Sequence, residues 1–260
     1  MYRKRKIAVV VPAYNEEKLI GETLAGIPGF VDKIYVVDDA SNDNTVMVTR
    51  RFQERDKRIV LISHPKNGGV GAAIITGYRK ALQEGQEVVA VMAGDDQMDP
   101  AQLPRLLDPV IDGKADYSKG NRLSRSEHKV GMSRWRRFGN ALLSFLTKMS
   151  SGYWHVQDPQ NGYAVISRYA LEQLNLDQLY TYYGYCNDLL TKLNVKGLRV
   201  LEVDMPARYG DEKSKIRYSS YIKRVSFLLL RNFLWRISQI VKRNLVKSKS
   251  EAVVGYQKNL

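Results

Sequence analysis

The chain has one cysteine, Cys186, and three histidines, His64, His128 and His155, among 260 residues. A single cysteine excludes a disulfide framework and any cysteine-rich zinc site. The histidines lack the paired spacing of a metal centre, so surface or packing roles are expected of them. No apolar run approaches the roughly 20 residues that span a bilayer. The basic start at residues 3–6 leads into only five apolar residues, short for a signal peptide, so a cytoplasmic location is expected. No segment repeats at a fixed period, which excludes a solenoid. Neither Walker spacing nor G-x-G-x-x-G occurs in K-N-G-G-V-G-A at 66–72, so those glycines are expected to serve a tight turn and close helix packing, with at most a secondary ligand contact.

What the chain does have is positive charge, unevenly spread. Lys and Arg total 41 against 27 Asp and Glu, a formal net of +14. Residues 199–260 carry 14 basic and 5 acidic residues. With the four basic residues at 3–6, they leave the body between nearly neutral. Such a distribution suits a globular unit docked on a polyanion, either nucleic acid or an anionic membrane.

The element order predicts an α/β fold. Short apolar runs at 7–11, 34–37, 59–62 and 88–92 read as buried strands. Helical spacing follows at 16–26, from about Thr45, and at 70–82. Strand, loop and helix in this repetition predict a mostly parallel sheet with helices on both faces, and ligands beyond the strand carboxyl ends. Polar clusters at 12–16, 38–43 and 94–99 each follow a strand and converge on one crevice. Further on, helices are expected at 134–149 and 185–194, and strands at 162–167 and 198–203.

P-A-Y-N-E at 12–16, V-D-D-A-S-N-D at 37–43 and G-D-D-Q-M-D-P at 94–100 resemble the family 2 glycosyltransferases with the GT-A fold. G-N-R at 120–122, Q-D-P-Q-N-G-Y at 157–163 and R-Y-G-D-E-K-S-K at 208–215 resemble the branch that makes polyprenyl-phosphate sugars, typified by dolichyl-phosphate mannose synthase. The resemblance covers about residues 6–218. It implies a Rossmann-like GT-A domain at 1–218; residue spacing and composition add amphipathic helices at 219–247 and a polar, disordered end at 248–260.

The resemblance implies a nucleotide-diphosphate sugar as donor and Mg²⁺ or Mn²⁺ as cofactor, because the leaving diphosphate must be neutralised by a hard cation on oxygen ligands. The family's D-x-D motif falls on Ala93, Gly94 and Asp95, so its first carboxylate is missing. Asp95 is the expected metal ligand, helped by Gln97. Asp96 and Asp99 are weaker candidates, Asp99 as a cap for a helix starting at Pro100. By the same resemblance Pro12, Tyr14 and Glu16 contact base and ribose, Asp39 accepts an N–H from uracil or guanine, and Asp38 supports the loop. Capping remains an alternative for Asp38, Ser41 and Asp43.

A polyprenyl phosphate is already an anion and needs a cationic cradle rather than a strong base. Arg122, Arg134, Arg208, Ser214 and Lys215 are the candidates for that cradle. Asp158 falls on the acceptor side of the sugar pocket. Asp188 matches the catalytic base of relatives with hydroxyl acceptors, and here either acts so or positions acceptor and sugar.

Treated as one helix, 222–247 gathers Ile222, Leu229, Leu230, Phe233, Leu234, Ile237, Ile240, Val241 and Leu245 on one arc. Arg224, Arg231, Arg236, Lys242, Arg243 and Lys247 fall opposite. That pattern fits a helix, or two, lying on the cytoplasmic face of a membrane; packing on the protein's own core is the alternative. The implied activity is inverting transfer of one sugar from a UDP- or GDP-sugar to dolichyl or undecaprenyl phosphate. A soluble hydroxyl acceptor stays open, with Asp188 as base. A nucleic-acid module is disfavoured, because the crevice is acidic and no recognition motif occurs.

Overall fold

The computed structural model describes residues 1–123, 134–206 and 218–257. A seven-stranded sheet has the order β3-β2-β1-β4-β6-β5-β7. Its first half is parallel: β1 (Ile7–Ala13) lies between β2 (Lys33–Asp38) and β4 (Val88–Val91), with β3 (Ile59–Ser63) at the edge. β6 (Ala164–Ser167) runs antiparallel to both β4 and β5 (Tyr117–Asn121), and β7 (Val200–Asp204) pairs parallel with β5.

All seven residues of β1 are buried, as expected of a strand covered on both faces. Its side chains alternate between two cores. Ala8 and Val10 join Tyr35, Val37 and Tyr78 beneath α3 (Val70–Gln83) and α7 (Tyr185–Val195). Ile7, Val9 and Val11 pack with Leu24 of α1 (Ile20–Gly26) and with Leu103, Leu106 and Leu107 of α4 (Leu103–Ile111). α2 (Thr45–Arg55) and α6 (Arg168–Gln173) complete the sheet's cover, and α5 (Arg134–Ser151) packs with α7 and α8 (Tyr218–Gln257). The chain leaves β1 toward α1 and β2 on one side and returns through β4 on the other. That reversal opens a crevice at the carboxyl ends of β1, β2 and β4.

The C-terminal segment forms one continuous helix, α8 (Tyr218–Gln257), where sequence left room for two and expected a disordered end from 248. Its apolar residues divide between two faces. Val225, Leu228 and Leu229 are buried, whereas Phe227, Leu230, Leu234, Ile237, Val241 and Leu245 are exposed. The core-packing reading therefore holds for the face that carries Val225, Leu228 and Leu229. Arg236, expected on the basic arc, instead donates to the carbonyls of Met149 and Ser150 at 2.9 Å each, closing the end of α5. Among the described residues no helix is long and apolar enough to cross a membrane.

Candidate active site

The loops after β1 and β2 are stitched together by their own polar atoms. Asn15 N–H donates to Ser41 Oγ at 2.9 Å, Glu16 N–H to Thr45 Oγ1 at 2.8 Å, and Asn42 N–H to Asn15 Oδ1 at 2.8 Å. Asp43 accepts from Thr45 and Glu17. Burial alone would raise its carboxyl, but these hydrogen bonds hold it below its ordinary value. Asp43 therefore performs the capping expected of it, and Ser41 serves the partner loop. Asp38 is buried and accepts from Ser41 N–H at 3.3 Å, which fits its expected loop role.

Asp39 has denser bonding than sequence suggested. Its carboxylate accepts from Gly68 N–H at 2.8 Å and Gly69 N–H at 2.7 Å, and Oδ1 lies 2.8 Å from His64 Nδ1. His64 also bonds Thr76 Oγ1 at 2.9 Å. Asp39 thus fastens the glycine segment to the end of β2, and His64 has a defined place behind it. The sequence reading missed both; the only signal was the H-P-K-N-G-G run itself.

That glycine segment in turn receives residues 180–184. Gly69 has φ +93°, a left-handed conformation that disfavours other residues. A Cβ on Gly71 would stand 2.5 Å from the Tyr180 carbonyl oxygen, so only glycine allows this approach. Ala72 N–H donates to Thr181 O at 3.1 Å, locking the two segments. Tyr182 and Tyr183, 44% and 47% exposed, then project over the crevice. Sequence reasoning did not single them out.

The crevice has two lobes. The first, about 350 Å³, is lined by Pro12, Tyr14, Glu16, Asp39 and Asn67, among others. The second, about 420 Å³, includes Gln97, Asp99, Arg122, Gln160 and Asn161. Pro12, Val70, Ala93, Asp95, Tyr182 and Tyr183 line both, so Asp95 stands where the lobes meet. Asp95 Oδ1 accepts from Gln97 N–H at 3.2 Å. Asp96, at φ +54°, donates its N–H to Thr23 Oγ1. Asp99 accepts from Ala101 N–H at 3.0 Å and caps the short 3-10 turn Pro100–Gln102 ahead of α4, as its alternative reading expected.

Among the described residues no three His, Cys, Asp or Glu side chains cluster as a self-sufficient metal cage. The donor set instead fits Mg²⁺ or Mn²⁺ held in part by a ligand's phosphates. Such ions keep waters and substrate oxygens and take as little as one protein carboxylate; Asp95 is the carboxylate that both lobes share, and Gln97 lines the second lobe.

In the second lobe, Arg122 grips Asp158 by Nε at 2.8 Å and Nη2 at 3.2 Å, and its backbone N–H adds a third bond. Burial would raise the Asp158 carboxyl, but Arg122 outweighs it and holds the group below its ordinary value. Asp158 is thus a buried anchor that aims Arg122 along the lobe wall.

Asp188 differs from its expected place. It lies on α7, fully buried, and lines neither lobe. Its carboxylate pairs with Lys192 at 2.5 Å and Arg231 of α8 at 3.6 Å, and accepts from Tyr180 N–H at 2.8 Å. It holds the tyrosine loop from behind. Arg134 opens α5; Arg208, Ser214 and Lys215 lie outside the described residues.

The family model for glycosyl transferase family 2 matches residues 8–174, which run from β1 to the end of α6. This chain belongs to glycosyl transferase family 2. It is 30% identical over 218 residues to a UDP-N-acetylglucosamine–dolichyl-phosphate N-acetylglucosaminyltransferase of Methanococcus voltae, covering 79% of this chain and 86% of that one. It is 28% identical over 201 residues to an undecaprenyl-phosphate mannosyltransferase of Micrococcus luteus, covering 76% and 82%. A solved structure of glucosyl-3-phosphoglycerate synthase from Mycobacterium tuberculosis, with Mn²⁺, UDP-glucose and phosphoglyceric acid, superposes with a TM-score of 0.66. It is 22% identical, over 90% of this chain and 80% of that chain. The last likeness establishes the GT-A fold, and the family membership makes this chain a glycosyltransferase.

Proposed function

We propose that this family 2 glycosyltransferase moves one sugar from a UDP- or GDP-sugar to a polyprenyl phosphate, with inversion at the transferred carbon. One observation carries the choice of acceptor. The second lobe carries Arg122, fixed in place by Asp158, as a cation on its wall, and Asp188, the base that a hydroxyl acceptor would use, is buried away from it. A hydroxyl nucleophile needs a base there; a phosphate nucleophile does not. The names of the Methanococcus and Micrococcus relatives support the same acceptor class.

In this reading the nucleoside occupies the first lobe against Pro12, Tyr14 and Glu16, with Asp38 holding the loop and Asp39 offering its remaining acceptor capacity to the base edge. Asp95 and Gln97 hold Mg²⁺ or Mn²⁺, which supplies charge neutralisation for the leaving diphosphate. Arg122, kept in place by Asp158, receives the acceptor phosphate together with Arg134, Arg208, Ser214 and Lys215. The acceptor oxygen attacks the anomeric carbon from the face opposite the diphosphate. Tyr182 and Tyr183 wall the junction, and Asp188 positions them.

The exposed stripe of α8 lies on the cytoplasmic face of a membrane, the place where a polyprenyl phosphate presents its head group. The soluble-acceptor alternative draws on the fold likeness to glucosyl-3-phosphoglycerate synthase, whose structure carries phosphoglyceric acid.

The test is transfer from a panel of UDP- and GDP-sugars to a short polyprenyl phosphate, with Mn²⁺ or Mg²⁺ and then with chelator. UDP-N-acetylglucosamine is the first donor to try. Metal-dependent lipid-linked sugar supports the reading. Donor hydrolysis without lipid product moves the reading to a soluble acceptor.

A further inference from the structure

Away from the crevice, a second large cavity of about 750 Å³ opens between the C-terminal end of α7 and the outer part of α8. Its cationic lining is Lys192, Lys196, Lys242 and Arg243, around Trp235. No acidic residue lines it. Lys192 and Lys196 sit at the end of α7, where the helix dipole favours cations. Lys242 and Arg243 have no such reason to converge there. From Tyr218 to Ser250, α8 contains no Asp or Glu. Lys192 is already paired with Asp188 at 2.5 Å, but Lys196, Lys242 and Arg243 meet no acidic residue in the groove lining, and an anion seated among them relieves their mutual repulsion.

The groove shares no lining residue with either lobe of the crevice. Lys192 and Lys196 lie 7 to 11 residues beyond Tyr185 on or just past α7, roughly 10–17 Å along the helix axis. It is therefore a separate site.

Its position relative to the apolar stripe selects the anion. Phe227, Leu230, Leu234, Ile237, Val241 and Leu245 recur every three or four residues along one narrow exposed face. At 100° per residue, Lys242, Trp235, Gln239 and Arg243 fall about 100–160° round the helix from that face. A helix with its apolar face sunk about 5–10 Å into a bilayer carries its flank, here Lys242 and Trp235, at the level of the lipid phosphates, while Gln239 and Arg243 turn further toward α7 and line the inner wall of the groove. Trp at this depth suits the interface, with an apolar ring and a polar N–H.

We infer that the α7–α8 groove is a binding site for the phosphate-bearing head group of an anionic membrane lipid, distinct from the sugar acceptor. Lys196, Lys242 and Arg243 hold the phosphate, and Trp235 covers the glycerol end. The inference rests on the interfacial reading of α8 and adds a defined lipid class to it. The site fixes the enzyme's orientation on the membrane beside its lipid substrate.

The experiment uses the full chain and two probes: phosphatidylcholine vesicles with or without phosphatidylglycerol, and a short-chain, water-soluble phosphatidylglycerol followed by calorimetry. The groove variant is Lys196→Ala/Lys242→Ala/Arg243→Ala. A control variant, Arg50→Ala/Arg51→Ala/Arg55→Ala, removes the same charge from α2. The groove variant is expected to bind phosphatidylglycerol vesicles about 100-fold more weakly and to lose short-chain lipid binding, while the control keeps both. Inorganic phosphate is expected not to displace the short-chain lipid. Wild-type-like binding by the groove variant overturns the inference. So does displacement by equimolar inorganic phosphate, which would make the groove a free-phosphate site.

A stripe variant, Leu234→Asp/Ile237→Asp, separates the two readings. It is expected to leave vesicles and keep the short-chain lipid. If wild type binds no vesicle yet takes the short-chain lipid, the interfacial reading falls and the groove stands. If vesicles bind regardless of lipid charge and of the groove variant, the groove falls and the interfacial reading stands.

Discussion

Lys119 and Glu202 face each other across the β5–β7 ladder and grip the same residue from two sides. Lys119 Nζ donates to the Asp158 carbonyl, while Glu202 accepts the N–H groups of Gln157 and Asp158 at 2.8 Å each. With Arg122 on the side chain, the amide, carbonyl and carboxylate of Asp158 are all held by charged partners. Lys119 is completely buried, and desolvation pushes its pKa below the usual lysine value despite the nearby carboxylates.

Removing either jaw of this clamp has a defined cost. Lys119→Met leaves the buried Asp158 carbonyl without its donor and is expected to lose about 1–3 kcal/mol of stability. Glu202→Gln keeps one acceptor and is expected to lose about 1–3 kcal/mol. Urea denaturation measures both. Lys119→Arg should recover less than half of the loss, because the larger guanidinium does not fit the same volume.

The acid limb of stability follows from the same anchor. Asp158 has a folded pKa below its unfolded value, so its contribution is fully present above about pH 4. It is lost as pH falls through the folded value. Asp116, held below its ordinary value by hydrogen bonds from Arg199, has the same sign. Asp158→Asn should therefore make the loss of stability on acidification shallower without abolishing it. An unchanged slope would show that the Arg122 pair is not coupled to folding.

The parallel half of the sheet was legible because β1, β2 and β4 are apolar runs ending at polar clusters, and covered parallel strands must read that way. β5 was not. Its sequence Y-S-K-G-N has no apolar alternation, yet all five residues are buried. Ser118 bonds the Leu106 carbonyl and Lys119 the Asp158 carbonyl, so partners distant in sequence satisfy what local pattern would place in solvent. The helix expected from Pro100 begins as a 3-10 turn and becomes α4 only at Leu103, where Leu103, Leu106, Leu107 and Val110 keep helical spacing despite Pro104 and Pro109. At the site, the convergence of Pro12, Asp39 and Asp95 could be read from strand ends. The inward turn of Asp188 toward Lys192 and Arg231 could not, because it depends on where α8 packs.

Asp188→Asn discriminates a positioning role from a base. The amide still accepts from Tyr180 N–H but leaves Lys192 unpaired in a largely buried place. A stability loss of about 3–5 kcal/mol is expected, with a raised donor KM. The pH dependence of kcat should keep its shape. Loss of its acidic limb would return Asp188 to the role of proton acceptor.

Gly71→Ala drives a Cβ against the Tyr180 and Thr181 backbone, which has no flexible end to yield. The expected stability loss is about 1–3 kcal/mol. The tyrosine loop should move away from the first lobe, weakening UDP binding about tenfold, equivalent to roughly 1.4 kcal/mol. Gly29→Ala, with nothing within 4 Å of its Cβ, is the silent control. Calorimetric titration with UDP distinguishes them.

Ala93→Asp supplies the carboxylate that the D-x-D position lacks. Ala93 lines both lobes and lies two residues from Asp95, so a carboxylate there faces the same junction. Cation affinity rises with the number of charged oxygen ligands. With one carboxylate, wild type should need bound nucleotide phosphates to hold Mn²⁺ and bind it weakly alone. Ala93→Asp should bind Mn²⁺ about tenfold more tightly without nucleotide, and Asp95→Ala should bind none. Mn²⁺ titration followed by electron paramagnetic resonance, with and without UDP, reads all three proteins. Unchanged Mn²⁺ affinity in Asp95→Ala, with or without UDP, would move the cation away from Asp95 altogether.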